Sequence, residues 1–212
     1  MAIAYKKQID DDTEFALWKI EEKADDLYSQ LQLNAHEKAY VEQLSHGKRH
    51  LHWLGTRVLL RKMLNTEEYI ASRVDEHGKP YLVDIPYHIS LSHSFDYAAV
   101  MTSKTRPVGI DIEQIKDKVE RIAHKFMRPQ EMAFIKDQHK IQQLYVCWCA
   151  KEAVYKCHGQ KEVSFADNIS LEPFNFADKG IVSAHLNKGA INLDYKVDYM
   201  QYEDYMIGYV KG

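Results

Sequence analysis

Two short stretches constrain this chain more than any other part of it. The first is Val108-Gly109-Ile110-Asp111-Ile112-Glu113. In an extended chain successive side chains point to opposite faces, so Val108, Ile110 and Ile112 share one face and Gly109, Asp111 and Glu113 the other. This predicts a strand with a buried apolar side and two carboxylates projecting from the opposite side. The second stretch is Trp148-Cys149-Ala150-Lys151-Glu152-Ala153-Val154-Tyr155-Lys156. Val146, Ala150, Ala153 and Cys157 recur at helical spacing, and Trp148, Glu152 and Lys156 form a second stripe. A tryptophan in line with an acid and a base implies that this second face is partly shielded from water.

Three carboxylates, two from a strand and one from a helix, suit a hard cation such as magnesium, whose remaining ligands come from phosphate oxygens or water. Lys151 and Lys156 flank the third carboxylate, the polarity expected around a metal-bound polyphosphate. Each stretch alone also fits a plainer description. Asp-x-Glu on a strand is commonly a solvated face, and Glu152 with Lys156 a surface pair worth about 0.2–0.5 kcal/mol.

Composition narrows the class. A chain of 212 residues suits one domain or two small ones, and its size makes disulfides unnecessary for a core. A net charge of −3 argues against nucleic acid as the main partner. Cys147, Cys149 and Cys157 lie in one predicted helix, odd in number and without zinc spacing, as expected of reduced, semi-buried residues in a cytoplasmic protein. The first residues contain no signal-peptide apolar region, and no apolar run is long enough for a membrane span.

Along the chain, strands are expected at 2–7 and 14–20, and helices at 21–33, at 35–44 with Asn34 as N-cap, and at 48–64. Ser45-His46-Gly47 should break the second helix from the third. A turn at 75–80 precedes the polar segment His88-Ile89-Ser90-Leu91-Ser92-His93-Ser94 and a strand at 98–102. The connector Lys104-Thr105-Arg106-Pro107 marks the expected boundary between a half at 1–105 and a half at 106–212. After the strand at 108–113, helices are expected at 118–127, 129–137 and 141–158, and then strands at 181–185, 191–197 and 205–210. The fold class is α+β.

The two stretches, in this order, resemble the signature motifs of the 4′-phosphopantetheinyl transferases: Gly109-Ile110-Asp111-Ile112-Glu113, then Trp148-x-x-Lys151-Glu152-Ala153-x-x-Lys156. Further parts fit the same resemblance. Ser92-His93-Ser94 looks like the family's Ser-His-Ser segment, with Ser90 where an Asn is usual. Gly78-Lys79-Pro80 looks like its Gly-Lys-Pro turn, and Arg49 through Arg61 its basic helix. The length is similar to that of the surfactin-type enzymes, monomers of two pseudo-symmetric α/β lobes with the active site between them.

The resemblance implies transfer of 4′-phosphopantetheine from coenzyme A to a serine of an apo acyl or peptidyl carrier protein, with adenosine 3′,5′-bisphosphate as the other product. It assigns Asp111, Glu113 and Glu152 to magnesium, Glu152 also as base, and Lys151 and Lys156 to charge on the pyrophosphate. Ser92 and His93 would contact phosphate oxygens, and Arg49 and Lys79 the nucleotide. Lys38 and Lys48 are candidates for the 3′-phosphate, because a second lysine of the family's preceding helix is replaced by Val41. The segment Lys118, Arg121, Lys125, Phe126, Met127 and Arg128 offers a basic rim with an apolar anchor for the carrier protein. The competing readings are a metal-dependent phosphohydrolase, a non-catalytic carrier-binding module and a structural α+β protein.

Overall fold

A computed structural model describes residues 3–44 and 47–212. The start of the strand expected from residue 2, and the break expected at Ser45-His46, lie outside the described residues.

In the N-terminal half, β1 (Tyr5–Asp10), β2 (Thr13–Lys19), β5 (His88–Ser94) and β6 (Tyr97–Ser103) form an antiparallel sheet in the order β1-β2-β6-β5. Helices α1 (Ala24–Tyr28), α2 (Ala35–Gln43) and α3 (Lys48–Met63), with a small hairpin of β3 (Ser72–Val74) and β4 (Pro80–Leu82), lie between β2 and β5 in sequence. After residues 104–107 come β7 (Val108–Gln114), α4 (Val119–Ile122), α5 (Pro129–Met132), α6 (Lys140–His158) and α7 (Phe165–Asn168). The chain ends with β8 (Ile169–Leu171), β9 (Lys179–Lys188), β10 (Ile191–Tyr202) and β11 (Tyr205–Lys211). The second sheet has the order β7-β11-β10-β9-β8.

The alternation of β7 is explained by what lies on each side of it. Val108, Ile110 and Ile112, with Tyr205, Ile207 and Tyr209 of β11, pack face to face against Phe15, Leu17, Tyr97, Ala99 and Met101 of the first sheet. The outer face of the first sheet is covered by α3, through Leu54, Val58 and Leu59. The outer face of the second is covered by α6, through Val146, Ala150 and Ala153. The layers run helix, sheet, sheet, helix, and Asp111 and Glu113 lie on the face that β7 turns toward α6.

Asn34 caps α2 as its sequence predicts. Its side chain accepts from the Glu37 amide at 2.9 Å, and Glu37 Oε2 accepts from the Asn34 amide at 3.0 Å. Such a cap contributes about 1 kcal/mol. Three helices are shorter than expected. The one predicted over 21–33 spans only Ala24–Tyr28, because Leu31 and Leu33 leave the helical path to reach the core. The one predicted over 118–127 ends at Ile122 and tightens into a 3₁₀ turn at Ala123–Lys125, which rotates Phe126 and Met127 inward. The one predicted over 129–137 spans only Pro129–Met132. Among the described residues no helix is long and apolar enough to cross a membrane.

Two features bring the elements of the site together. Gly109 on β7 and Gly208 on β11 face α6 without side chains. A Cβ on Gly109 would lie 1.9 Å from the Ala153 carbonyl oxygen, and one on Gly208 2.8 Å from the Cys149 backbone. The helix therefore lies directly on the sheet backbone. Gly109→Ala should force α6 away from β7 and cost about 1–3 kcal/mol or more, the usual cost of overpacking. A lowered thermal midpoint together with lost activity is the expected outcome.

The second feature is a ladder of serines. The edge strands β5 and β7 belong to different sheets, yet the β7 amides of Ile110, Ile112 and Gln114 donate to the hydroxyls of Ser90, Ser92 and Ser94 at 3.0, 3.3 and 3.1 Å. Serines at every second position of β5 stand in for the carbonyls of a neighbouring strand. They satisfy backbone donors that would otherwise be buried unpaired, and they join the two sheets in a fixed register.

Candidate active site

The serine ladder leads directly to the carboxylates. Ser92 Oγ donates to Asp111 Oδ1 at 2.7 Å, and Ser94 Oγ donates to Glu113 Oε2 at 2.9 Å. From the opposite side, Lys156 Nζ donates to Asp111 Oδ1 at 2.7 Å, to Ser92 Oγ at 3.0 Å and to the Ile110 carbonyl at 3.1 Å. Strand β5, strand β7 and helix α6 thus meet at one buried carboxylate, only 4 % exposed.

Glu152 lies one helical turn before Lys156 on α6. Burial is the main cause that lifts its carboxyl from 4.5 to about 7, and the charges of Asp111 and Glu113 add to it while Lys156 opposes. Glu113 is also raised, by burial first and then by Asp111. For Lys156 burial works against the charge, but Asp111 and Glu152 beside it outweigh this and raise its pKa. The three acids stand in one another's field, with the Lys156 ammonium among them and Lys118 also acting on Glu113.

Asp111 Oδ2 is buried and has no hydrogen-bond partner among the described residues. A buried carboxylate oxygen without a partner is costly unless something positive completes it. Together with the raised carboxyls of Glu113 and Glu152, this oxygen fits a hard divalent cation. Among the described residues no three His, Cys, Asp or Glu side chains by themselves form a group that could hold a metal ion. A cation here would need further oxygens from a ligand.

The carboxyl of Glu152 has a consequence for stability. Between about pH 4.5 and pH 7 the folded chain keeps a proton on Glu152 that the unfolded chain has released. Stability therefore falls as pH rises through this window. With a chelator present, the thermal midpoint should drop from pH 5 to pH 8 by more in the unaltered protein than in Glu152→Gln. Parallel curves for the two would remove Glu152 as the titrating group.

The lysines differ sharply. Lys151 was expected at the pyrophosphate, but it is fully buried on the other side of α6. Its Nζ donates to Glu131 Oε2 at 2.7 Å and to the carbonyls of Phe126 and Phe165 at 2.7 and 3.1 Å. The catalytic assignment is corrected: Lys151 ties α6 to α5, to the turn before α5 and to the start of α7, and it does not face the acid cluster. Ser92 is corrected in the same way. Its hydroxyl donates to Asp111 and accepts from Lys156 and from the Ile112 amide, so it positions the carboxylate and has no free donor for a phosphate.

Lys79 lines a cavity of about 280 Å³ with His77, Gly78, Pro80, Ile89, Ser90, Leu91, Tyr155, Lys156 and Gly159. Its Nζ donates to the Cys157 carbonyl at 2.8 Å, at the C-terminal end of α6, where a cation meets unpaired carbonyls. Burial pushes its pKa down. His93 stacks on His52 of α3, ring centroids 4.2 Å apart. Its pKa falls to about 4, through loss of water first and then through His52 and Lys156, so the ring is neutral at pH 7. Arg49 and Lys48 are exposed in the first turn of α3. Lys48 Nζ lies 3.2 Å from the centroid of the Phe95 ring. Lys38 is exposed on α2, and the cavity bordering α2 is lined by His36, Glu37 and Tyr40 instead. The structure therefore gathers Asp111, Glu113, Glu152, Lys156, Ser92, His93 and Lys79 around the seam, and leaves Lys151 and Lys38 away from it.

The expected carrier anchor is also corrected. Phe126 and Met127 are 0 % and 4 % exposed and belong to the core under α6. Residues that sequence reasoning missed are Ser94, which holds Glu113, and His52, which stacks on His93. The serine period on β5 was a readable signal for Ser94, whereas no sequence signal pointed to His52.

Comparison with known proteins gives this geometry a family. Residues 107–210 match the model of the 4′-phosphopantetheinyl transferase superfamily. A 124-residue stretch is 34 % identical to a 4′-phosphopantetheinyl transferase of Bacillus subtilis, covering 57 % of this chain and 54 % of that protein. A 108-residue stretch is 32 % identical to the 4′-phosphopantetheinyl transferase gsp of Aneurinibacillus migulanus, covering 49 % and 45 %. A 127-residue stretch is 33 % identical to the AcpT transferase of Salmonella typhimurium, covering 57 % and 65 %. The chain spans about half the length of the first two relatives and somewhat more of the third. The matched region holds β7 and α6, and with them Asp111, Glu113, Glu152 and Lys156. The part of the chain that carries the acid cluster, residues 107–210, belongs to the 4′-phosphopantetheinyl transferase superfamily.

Proposed function

We propose that this protein transfers 4′-phosphopantetheine from coenzyme A to a serine hydroxyl of an apo acyl or peptidyl carrier protein, as a member of the long, surfactin-type branch of its family. The observation that carries this reading is the cluster of Asp111, Glu113, Glu152 and Lys156 at the seam of the two sheets, next to a cavity lined by Lys79. A magnesium ion would be held by Asp111, Glu113 and Glu152. When bound, it would neutralise the pyrophosphate and spread the charge of the leaving group.

The chain's own residues supply the rest. Lys156, held by Asp111 and Ser92, keeps a fixed positive charge in a partly desolvated site, where it stabilises developing negative charge without reorganising. Glu152, a carboxylate beside the cluster, is placed to accept the serine proton, directly or through a water. Lys79 on the cavity side, and the neutral His93 beside His52, offer donors to phosphate oxygens. Lys156 and Lys79 together give the cavity a polarity suited to an anionic nucleotide.

Release of adenosine 3′,5′-bisphosphate, followed chromatographically, tests the reaction class. It should require coenzyme A, magnesium and an apo carrier protein together. Phosphate-ester turnover at equal rate without carrier protein would instead indicate a hydrolase.

A further inference from the structure

Phe95 lies at the mouth of this site in an unusual state. It forms, with Asp96, the two-residue connection between β5 and β6, and it has φ +53. Two-residue hairpins accept positive φ at glycine, asparagine or aspartate, whereas a bulky aromatic there is a genuine outlier. The other described non-glycine residues with positive φ are Asn65, Asp84, Glu162 and Glu203. The backbone is locked from both halves of the molecule. His52 Nε2 lies 2.7 Å from the Phe95 carbonyl, and Tyr205 of β11 donates to the Asp96 carboxylate. Phe95 is 47 % exposed among the described residues. An observed backbone outlier that holds an apolar ring in water points to a use for the ring.

Two ammonium groups meet on that ring. Lys48 Nζ, from the start of α3, is 3.2 Å from its centroid, and Lys116 Nζ, from just after β7, is 4.5 Å away. Both lysines are exposed, and Lys118 follows on the same segment. The result is one apolar ring inside a ring of positive charge, in a protein whose net charge is −3.

Its place relative to the chemistry is fixed by β5. The donor cavity is lined at one end by Ile89, Ser90 and Leu91. Ser92 touches Asp111 in the middle, Ser94 touches Glu113, and Phe95 follows. Along an extended strand of about 3.3 Å per residue, the cavity and the Phe95 ring lie on opposite flanks of the acid cluster. In phosphoryl transfer the attacking and leaving oxygens are roughly in line, so an acceptor enters from the flank opposite the donor.

We infer that Phe95, with Lys116 and Lys48, is the docking anchor for the acceptor protein, engaging an acidic segment that carries an apolar residue beside the modified serine. This rests on the transferase reading above. The ring supplies the desolvated centre of the contact, and the lysines supply steering and register. It replaces the anchor that Phe126 and Met127 cannot provide from the core.

The test is steady-state kinetics with an apo acyl carrier protein and coenzyme A varied in turn, for the unaltered protein, Phe95→Gly and Lys116→Glu. Glycine suits the backbone at position 95, so that variant should keep or raise its thermal midpoint. Its KM for carrier protein should rise about tenfold or more, with kcat and the KM for coenzyme A within about twofold. Lys116→Glu should raise the same constant and weaken its salt dependence. An unchanged carrier KM in both variants would overturn the docking assignment. So would a rise in the KM for coenzyme A instead, which would place the ring against the nucleotide. If the unaltered protein modifies no carrier protein at all, the transferase reading falls first and the docking inference with it.

Discussion

Glu152→Gln should lower the transfer rate by about a thousandfold or more while the protein stays folded. A positioned base contributes about 10²–10⁴ in rate, and this substitution also removes one of three carboxylates from the proposed cation site. Asp111→Asn should act as severely, because it removes the carboxylate that Ser92 and Lys156 both hold. The two differ in what they do to the fold. Glu152 is destabilising above about pH 7, since its carboxyl is raised by burial and by neighbouring acids. Glutamine there should leave stability equal or higher at pH 8. Asp111→Asn breaks the ion pair with Lys156 and should reduce stability. Transfer rates measured alongside circular-dichroism melts separate these effects. A folded Glu152→Gln protein with a near-normal rate would remove Glu152 from the chemistry.

The other large effect is on stability. Lys151→Met should destabilise the protein by about 3–5 kcal/mol, the range for removing one partner of a buried ion pair. Glu131 is 3 % exposed and would lose its only ammonium contact among the described ion pairs. It would keep the Leu171 amide at 2.8 Å and the Arg128 amide at 2.7 Å, which are too few donors for a buried carboxylate. The carbonyls of Phe126 and Phe165 would also lose their shared donor. Replacing both partners, as Lys151→Met with Glu131→Gln, should recover more than half of the loss, because no uncompensated charge remains. Urea unfolding of the two single variants and the double variant gives the coupling directly. At low temperature the folded fraction of Lys151→Met should keep its specific activity within a few-fold. Normal stability with a collapsed kcat would restore Lys151 to the catalytic machinery.

This pair of lysines also shows how far the sequence could be read. The alternation of Val108, Ile110 and Ile112 against Asp111 and Glu113 identified β7 and both of its faces, because period-two patterning translates directly into a buried side and a functional side. Of the stripe Trp148, Glu152 and Lys156, the two charged residues lie with the acid cluster, whereas Trp148 packs against Phe126 and Phe165. What the stripe could not show was the fate of Lys151. Helix α6 is covered on several sides, by the second sheet and by the segments around α5 and α7, so residues outside the apolar stripe are buried too. Only the position of Glu131, distant in sequence, decides that Lys151 turns inward.

The same logic applies to Phe126 and Met127. As part of a regular helix they would have continued a basic, exposed face, but the 3₁₀ turn at Ala123–Lys125 rotates them into the core. Ser90, Ser92 and Ser94 were visible as a motif. Their structural task, pairing with amides of a strand from the other sheet, depends on a seam that no local pattern announces. Phe95 was invisible for a related reason: its φ and its two lysine neighbours are properties of the assembled turn.

The central claim is that the acid cluster at this seam moves phosphopantetheine onto a protein serine. Intact-mass analysis of an apo acyl carrier protein, incubated with coenzyme A, magnesium and this protein, tests it most directly. A single phosphopantetheine adduct is expected on the carrier serine with the unaltered protein, formed about a thousandfold more slowly with Glu152→Gln, and none when that serine is replaced by alanine. A carrier protein of unchanged mass after prolonged incubation with the folded protein, across acyl and peptidyl carrier proteins alike, would contradict it.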